Sequence, residues 1–133
     1  MLKTIATIAF LVLLGSAAPQ AQQAPLQPSP VKRTILQKAD VPGTNLEVIY
    51  ATVEIVPSFK AGRHSHPGVV MAQVVDGEFW FAPDGQSEKT LKVGETLTIP
   101  DRAIHNEGAT DKGVKINVVY VVEKGKPLVL PAP

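Results

Sequence analysis

The sequence predicts a single all-β domain, and three observations support this fold class. After residue 31, short apolar runs alternate with turn residues such as Gly, Pro, Asp and Asn. The runs are rich in β-branched and aromatic residues, which favour strands. No stretch of adequate length shows the 3.6-residue period of a helix. Several short strands with regular turns are typical of a sandwich or a closed barrel, which leaves few exposed sheet edges.

The individual strands follow from local composition. Asp76-Gly77 is a strong hairpin signal between two apolar runs, and Pro83-Asp84-Gly85 predicts a second turn. Strands are predicted at residues 46–56, 69–75, 78–81, 91–93, 95–99 and 115–122. Because Trp80 and Phe81 alternate in one strand, we expect one of them to pack in the core and the other to meet solvent or a partner chain.

The N-terminal residues predict a targeting signal rather than part of the fold. Lys3 precedes an apolar run at 5–14, and Gly15-Ser16-Ala17-Ala18 supplies the small residues that signal peptidases accept. The run is short for a bilayer span, so a membrane anchor is the weaker alternative and none is expected after cleavage. We predict a signal peptide at 1–22, a flexible Gln-, Ala- and Pro-rich linker at 23–32, and the barrel domain at 33–133. The expected location is secreted or periplasmic.

Composition excludes several functional classes. The chain has 133 residues, a formal net charge of +1 and no cysteine, and 44% of its residues are hydrophobic. One domain with a single core is expected at this length. A thiolate nucleophile, an iron–sulfur cluster and a cysteine zinc site are impossible, and no basic patch indicates nucleic-acid binding.

The placement of the histidines is the main functional signal, because the chain contains only three. His64 and His66 flank Ser65, and residues two apart in an extended segment point to the same side. With His105 from a distant strand end they can form a three-nitrogen face that leaves other metal positions open for water or substrate. A His-x-His pair alone is weak evidence, since most isolated surface histidines bind nothing. No Ser-His-Asp set remains once these histidines are assigned to one cluster.

Two motifs around these histidines resemble the cupin superfamily, over residues 48–122. The first motif places Gly before a His-x-His pair and a second Gly after it, and the second runs Gly, five residues, Pro, then His. The matching residues are Gly62, His64, His66 and Gly77 in the first motif, and Gly94, Pro100 and His105 in the second. The resemblance implies a small jelly-roll β-barrel in which His64, His66 and His105 hold one divalent transition metal, of which Fe, Mn, Cu, Ni and Zn all remain open. It also implies a possible homodimer.

The chain departs from the family pattern at three positions. Val70 stands where the family's glutamate ligand is expected, Arg102 where Gly is usual, and Ala109 where Asn is common. Three neutral imidazoles without the carboxylate would leave a stronger Lewis acid that is less tightly bound. By ligand count alone, this set resembles the three-histidine thiol and diketone dioxygenases of the superfamily, which use ferrous iron. The opposite interpretation is that Val70 marks a site that is losing its metal.

Other residues are candidates for supporting roles. Tyr50 and Glu54 share one face of their strand with Val48 and Thr52, and they could support the metal ligands if that face is interior. Arg63 and Arg102 neighbour ligand positions and could recognise a substrate carboxylate.

The sequence therefore favours a metal-dependent enzyme acting on a small organic molecule, an oxygenase or a lyase. A non-catalytic periplasmic protein that binds a small ligand or a metal is the alternative. A metal-free isomerase or epimerase barrel is weaker, because no acid/base partner for the histidines is evident.

Overall fold

The computed structural model describes residues 27–133, which form eight strands. The strands are β1 (Val31–Asp40), β2 (Leu46–Ile55), β3 (His64–Ser65), β4 (Gly68–Pro83), β5 (Lys89–Lys92), β6 (Thr96–Ile99), β7 (His105–Glu123) and β8 (Leu130–Pro131). The predicted signal peptide and residues 23–26 of the predicted linker lie outside the described residues. The last two linker residues, 31 and 32, instead begin β1. Within 27–133 there is no helix with the length and apolar character to cross a bilayer.

The two longest strands organise the curled sheet. β4 and β7 run antiparallel along most of their length, from the Gly68–Val122 pair to the Pro83–His105 pair. On its other edge the first half of β4 pairs with β6, and the second half pairs with β5. The second half of β7 pairs with β2, and β2 pairs with β1. The first residue of β7, His105, pairs with β3. The predicted all-β jelly-roll fold is confirmed.

The predicted hairpin at Asp76-Gly77 is wrong, because β4 passes through these residues as one strand. Its pairing with β7 shifts register on both sides of them, which is the signature of β-bulges. Gly77 has φ +73, and a Cβ there would lie 2.1 Å from the carbonyl oxygen of Gly113. Only glycine fits this close crossing. The Asp-Gly pair therefore bends one long strand between the two halves of the sheet instead of reversing the chain.

The interior is filled by alternate residues of β2, β4, β6 and β7. On β2 the buried side chains are Ile49, Ala51, Val53 and Ile55, each at most 5% exposed. Phe79 and Phe81 on β4 stack with ring centroids 6.3 Å apart. Phe81 is thus the core member of the Trp80–Phe81 pair, while Trp80 is only partly buried and its ring lies 4.0 Å from the Lys60 ammonium.

Candidate metal centre

The structure brings all three histidines together at one end of the interior. His64 pairs through its backbone with His105, so β3 and the start of β7 place their side chains on adjacent positions. The three residues are at most 3% exposed. The imidazole centroids of His64 and His105 lie 4.4 Å apart, and both lie 5.1 Å from that of His66. Ring nitrogens from two separate segments therefore meet at one buried point.

Backbone carbonyls fix the orientation of each ring. Every Nδ1 contacts a carbonyl oxygen: His64 contacts Gly62 at 2.8 Å, His66 contacts Leu128 at 2.6 Å, and His105 contacts Ala103 at 2.9 Å. A carbonyl only accepts a hydrogen bond, so in the neutral form of each ring Nδ1 carries the proton and Nε2 keeps a free lone pair. Such partners orient the histidines of metal sites and fix their tautomer.

Glu107 is a fourth member of the cluster, and the sequence reasoning missed it. Its Oε1 lies 3.5 Å from Nε2 of His64, and its Oε2 lies 3.4 Å from Nε2 of His105. A signal was present, since His105 and Glu107 are two residues apart in a strand, the same spacing that joined His64 to His66.

The electrostatics of the cluster keep Glu107 ionised. Burial raises its pKa, but contacts with His105 and His64 outweigh this effect and hold the pKa at about 2. Burial lowers the pKa of His64, yet Glu107 and the Gly62 carbonyl raise it above its ordinary value. The pKa of His66 is lowered, chiefly by burial and further by the two neighbouring imidazoles. One carboxylate anion thus faces the imidazole nitrogens.

These four side chains fit a transition-metal ion. Nε2 of His64 and Nε2 of His105 are buried and have no hydrogen-bond partner among residues 27–133, which is costly unless something else binds them. One donor atom from each of the three histidines and Glu107 can be chosen so that all four lie within 4.8 Å of one another. Three imidazole nitrogens and one carboxylate suit Zn, Fe, Mn, Cu and Ni more than Mg or Ca, so the group could hold one such ion.

The structure places Tyr50 and Glu54 away from this cluster. Because Ile49 and its alternate neighbours on β2 face the interior, these two residues lie on the outer face. Tyr50 is 36% exposed, and the Glu54 carboxylate faces solvent beside the Lys32 ammonium at 3.4 Å. Their predicted supporting role depended on the opposite face being interior, and the structure corrects it.

Arg63 and Arg102 are also directed elsewhere. Arg63 forms two contacts with the Asp84 carboxylate, at 3.2 and 2.5 Å, and Arg102 forms an ion pair with Glu123. Both arginine side chains are half exposed. Neither guanidinium faces the histidines, so neither is positioned to bind a substrate there.

A cavity of about 270 Å³ opens beside the cluster. His64, His66 and Glu107 line one side, and most of the remaining wall is aliphatic or aromatic. Arg33 and Tyr120 are the other polar residues of the lining. Tyr120 is 3% exposed, and burial raises the pKa of its hydroxyl, so it stays protonated.

Comparison with family models and with curated proteins finds no match to this chain. Solved structures do match. The polyketide cyclase RemF from Streptomyces resistomycificus is 19% identical, with a TM-score of 0.62 over 79% of this chain and 72% of that one. A cupin superfamily protein from Desulfitobacterium hafniense is 17% identical, with a TM-score of 0.60 over 79% of this chain and 94% of that one. The chain has the cupin fold. The DMSP lyase DddQ from Ruegeria pomeroyi is 20% identical, with a TM-score of 0.59 over 65% of this chain; this chain spans only 44% of its length.

Within this cupin fold, the carboxylate lies on an unexpected strand. Val70, at the family's glutamate position, is 2% exposed and lines the cavity as an apolar residue. Glu107 on β7 supplies the carboxylate instead. The expectation that the site lacks an anionic donor is therefore corrected: a carboxylate is present, at position 107 and not at position 70.

Proposed function

We propose that this cupin is a metal-dependent enzyme that acts on a small organic molecule, with lyase chemistry as the reaction class. The observation that carries the proposal is the pair of buried, unpartnered Nε2 atoms facing an ionised carboxylate. A divalent metal bound there would supply Lewis acidity, which polarises a coordinated oxygen and stabilises negative charge. The adjoining cavity gives a small ligand access to the same atoms.

A lyase is favoured over an oxygenase for two reasons. The similarity to three-histidine dioxygenases rested on ligand count, and Glu107 raises that count to four. Two of the similar structures are a DMSP lyase and a polyketide cyclase. Neither name implies oxygen as a co-substrate.

Metal analysis of purified, untagged protein tests the proposal first. We expect one transition-metal ion per chain by mass spectrometry, lost in His105→Ala and weakened in Glu107→Gln. Glu54→Gln is the matched control, because it makes the same chemical change on the outer face. Wild-type metal content in His105→Ala would contradict the proposed centre.

Turnover is tested on the metal-loaded protein. We would incubate it with DMSP and other carboxylates that bear a leaving group on the β-carbon, and follow alkene protons by NMR. Product formation that depends on His105 supports the lyase. Metal and ligand binding without any product would favour the non-catalytic binding protein, and oxygen-dependent product would favour the oxygenase.

We also propose that the mature protein is exported, on the basis of the charged, apolar and small-residue segments within residues 1–22. N-terminal sequencing of protein from the secreted or periplasmic fraction should give a start between Ala17 and Ala24. An intact Met1 in the mature protein would contradict export by this signal. A homodimer stays a prediction, which light scattering would test.

A further inference from the structure

Arg33 faces the cavity although it lies on the most exposed strand of the sheet. In the antiparallel pairing of β1 with β2, Arg33 lies opposite Val53, whose side chain is in the core. Paired residues project to the same face, so the Arg33 side chain lies on the cavity side of β1 and lines the cavity, although the residue itself is exposed. Its neighbour Lys32 pairs with Glu54 and projects outward, where the two side chains form an ion pair.

Tyr120 holds the guanidinium at the cavity. Nε of Arg33 donates a hydrogen bond to the Tyr120 hydroxyl at 3.2 Å, and Cζ lies 5.5 Å from the tyrosine ring centroid. The other side of Tyr120 faces the metal centre, with its ring 5.9 Å from that of His66. Tyr120 therefore lies between the cation and the histidine cluster.

Among residues 27–133, no carboxylate lies within ion-pair distance of the Arg33 guanidinium. Arg63 and Arg102 each form an ion pair with a carboxylate, but Arg33 forms none with the residues of 27–133. Its terminal nitrogens are also free of hydrogen bonds to those residues. A guanidinium that lines a cavity with its donors available is suited to bind an anion from solution.

We propose that Arg33 and Tyr120 bind the carboxylate of the small-molecule ligand, and that the ligand is a small monocarboxylate with an apolar body. Nη1 and Nη2 of Arg33 provide the parallel donors that a planar carboxylate accepts. The Tyr120 hydroxyl accepts its hydrogen bond from Arg33, which leaves its own proton free for the ligand. The reaction that would follow binding rests on the proposed function. Binding of the carboxylate by Arg33 and Tyr120 does not require the metal.

The rest of the cavity sets the size and polarity of the ligand. Its wall is apolar apart from Arg33, Tyr120 and the metal-centre residues. Its volume, about 270 Å³, lies just below the range for drug-sized ligands. A second charged group on the ligand would meet apolar side chains without a partner, unless it reached the histidine cluster.

Isothermal titration calorimetry with defined probes tests this inference. The probes are hexanoate and benzoate, with hexanamide and benzamide as uncharged analogues of the same shape. Each is titrated into metal-free protein and into zinc-loaded protein. The variants are Arg33→Met, Arg33→Lys and the matched control Lys32→Met, which removes the same charge from the adjacent residue on the outer face.

We expect both acids to bind wild-type protein more tightly than their amides. Loss of charge-assisted hydrogen bonds should weaken the acids about 10-fold to 100-fold in Arg33→Met, with an intermediate loss in Arg33→Lys and less than about twofold change in Lys32→Met. An unchanged thermal unfolding midpoint establishes that Arg33→Met is folded. If Arg33→Met is not folded, acid binding by Arg33→Lys decides whether Arg33 binds the carboxylate.

Three results would overturn the inference: no binding of either acid at millimolar concentration, equal binding of acids and amides, or acid binding that is insensitive to Arg33→Met. Acid binding that requires zinc but ignores Arg33 would retain the metal centre and reject the carboxylate site. Absence of any bound transition-metal ion would reject the proposed function, while the metal-free titrations would still decide the role of Arg33.

Discussion

Glu107→Gln keeps the size of the side chain facing the histidines and removes its negative charge. In the metal-free protein, the carboxylate lies 3.5 Å from Nε2 of His64 and 3.4 Å from Nε2 of His105. Its side chain is 19% exposed, so solvent screens these interactions only in part. The substitution therefore removes a partly buried electrostatic interaction without creating a large cavity.

The pKa of Glu107 sets the size of the stability loss expected in Glu107→Gln and the direction of its pH dependence. A pKa held at about 2 in place of 4.5 corresponds to about 3 kcal/mol of stability, because each pH unit is worth about 1.4 kcal/mol. Since the pKa is lowered by folding, this contribution is present above pH 4.5 and is lost as pH falls toward 2. The raised pKa of His64 has the opposite pH dependence. Its contribution to stability is present below pH 6.5 and is lost as pH rises through the pKa of His64 in the folded protein.

Urea unfolding of metal-free protein over a pH series measures both effects. We expect the free energy of unfolding of wild type to exceed that of Glu107→Gln by about 3 kcal/mol between pH 4.5 and 6.5. The difference should shrink below and above this pH range. Glu54→Gln should differ from wild type by less than about 1 kcal/mol, since its ion pair is exposed. Parallel pH profiles for wild type and Glu107→Gln would refute the proposed coupling between the carboxylate and the histidines.

Three further predictions follow from the same structure. Deleting residues 127–133 removes the Leu128 carbonyl that orients His66. Zinc affinity measured by chelator competition should fall about 10-fold to 100-fold, and unchanged affinity would show that the segment is dispensable. Gly77→Ala should cost about 2 kcal/mol or more in urea unfolding, because of its positive φ and the backbone contact; a neutral result would contradict the bulge. In Glu107→Val, adding Val70→Glu should restore part of the lost zinc affinity, since Val70 lines the same cavity; no recovery by calorimetry would show that position 70 cannot reach the metal.

The sequence predicted the fold class and the clustering of the histidines because both depend on local spacing. Alternation brought His64 and His66 to one side, and the motif spacing added His105. The same rule applied to His105 and Glu107 would have identified the carboxylate. The family pattern instead places the carboxylate at position 70, where this chain has valine.

Other features depended on pairing between distant strands, which local patterns do not reveal. Asp76-Gly77 has the same composition in a hairpin and in a bulge, and only pairing with β7 distinguishes them. Alternation showed that Tyr50 and Glu54 share a face but not which face is interior, because both faces of β2 carry apolar residues. Arg33 gave no signal, since β1 has no buried residues and only its register with β2 places Arg33 on the cavity side.

The presence of the carboxylate at position 107, with valine at position 70, connects the metal centre to the proposed ligand site. Val70 pairs with Tyr120 across β4 and β7, and the Cβ atoms of such partners lie about 5 Å apart. A glutamate at position 70 would therefore lie beside Tyr120, the residue whose hydroxyl accepts a hydrogen bond from Arg33. Its negative charge would lower the positive potential around Arg33, to which the proposed ligand carboxylate binds. With the carboxylate on β7, Glu107 faces the imidazole nitrogens of His64 and His105, and Arg33 keeps its charge for the ligand.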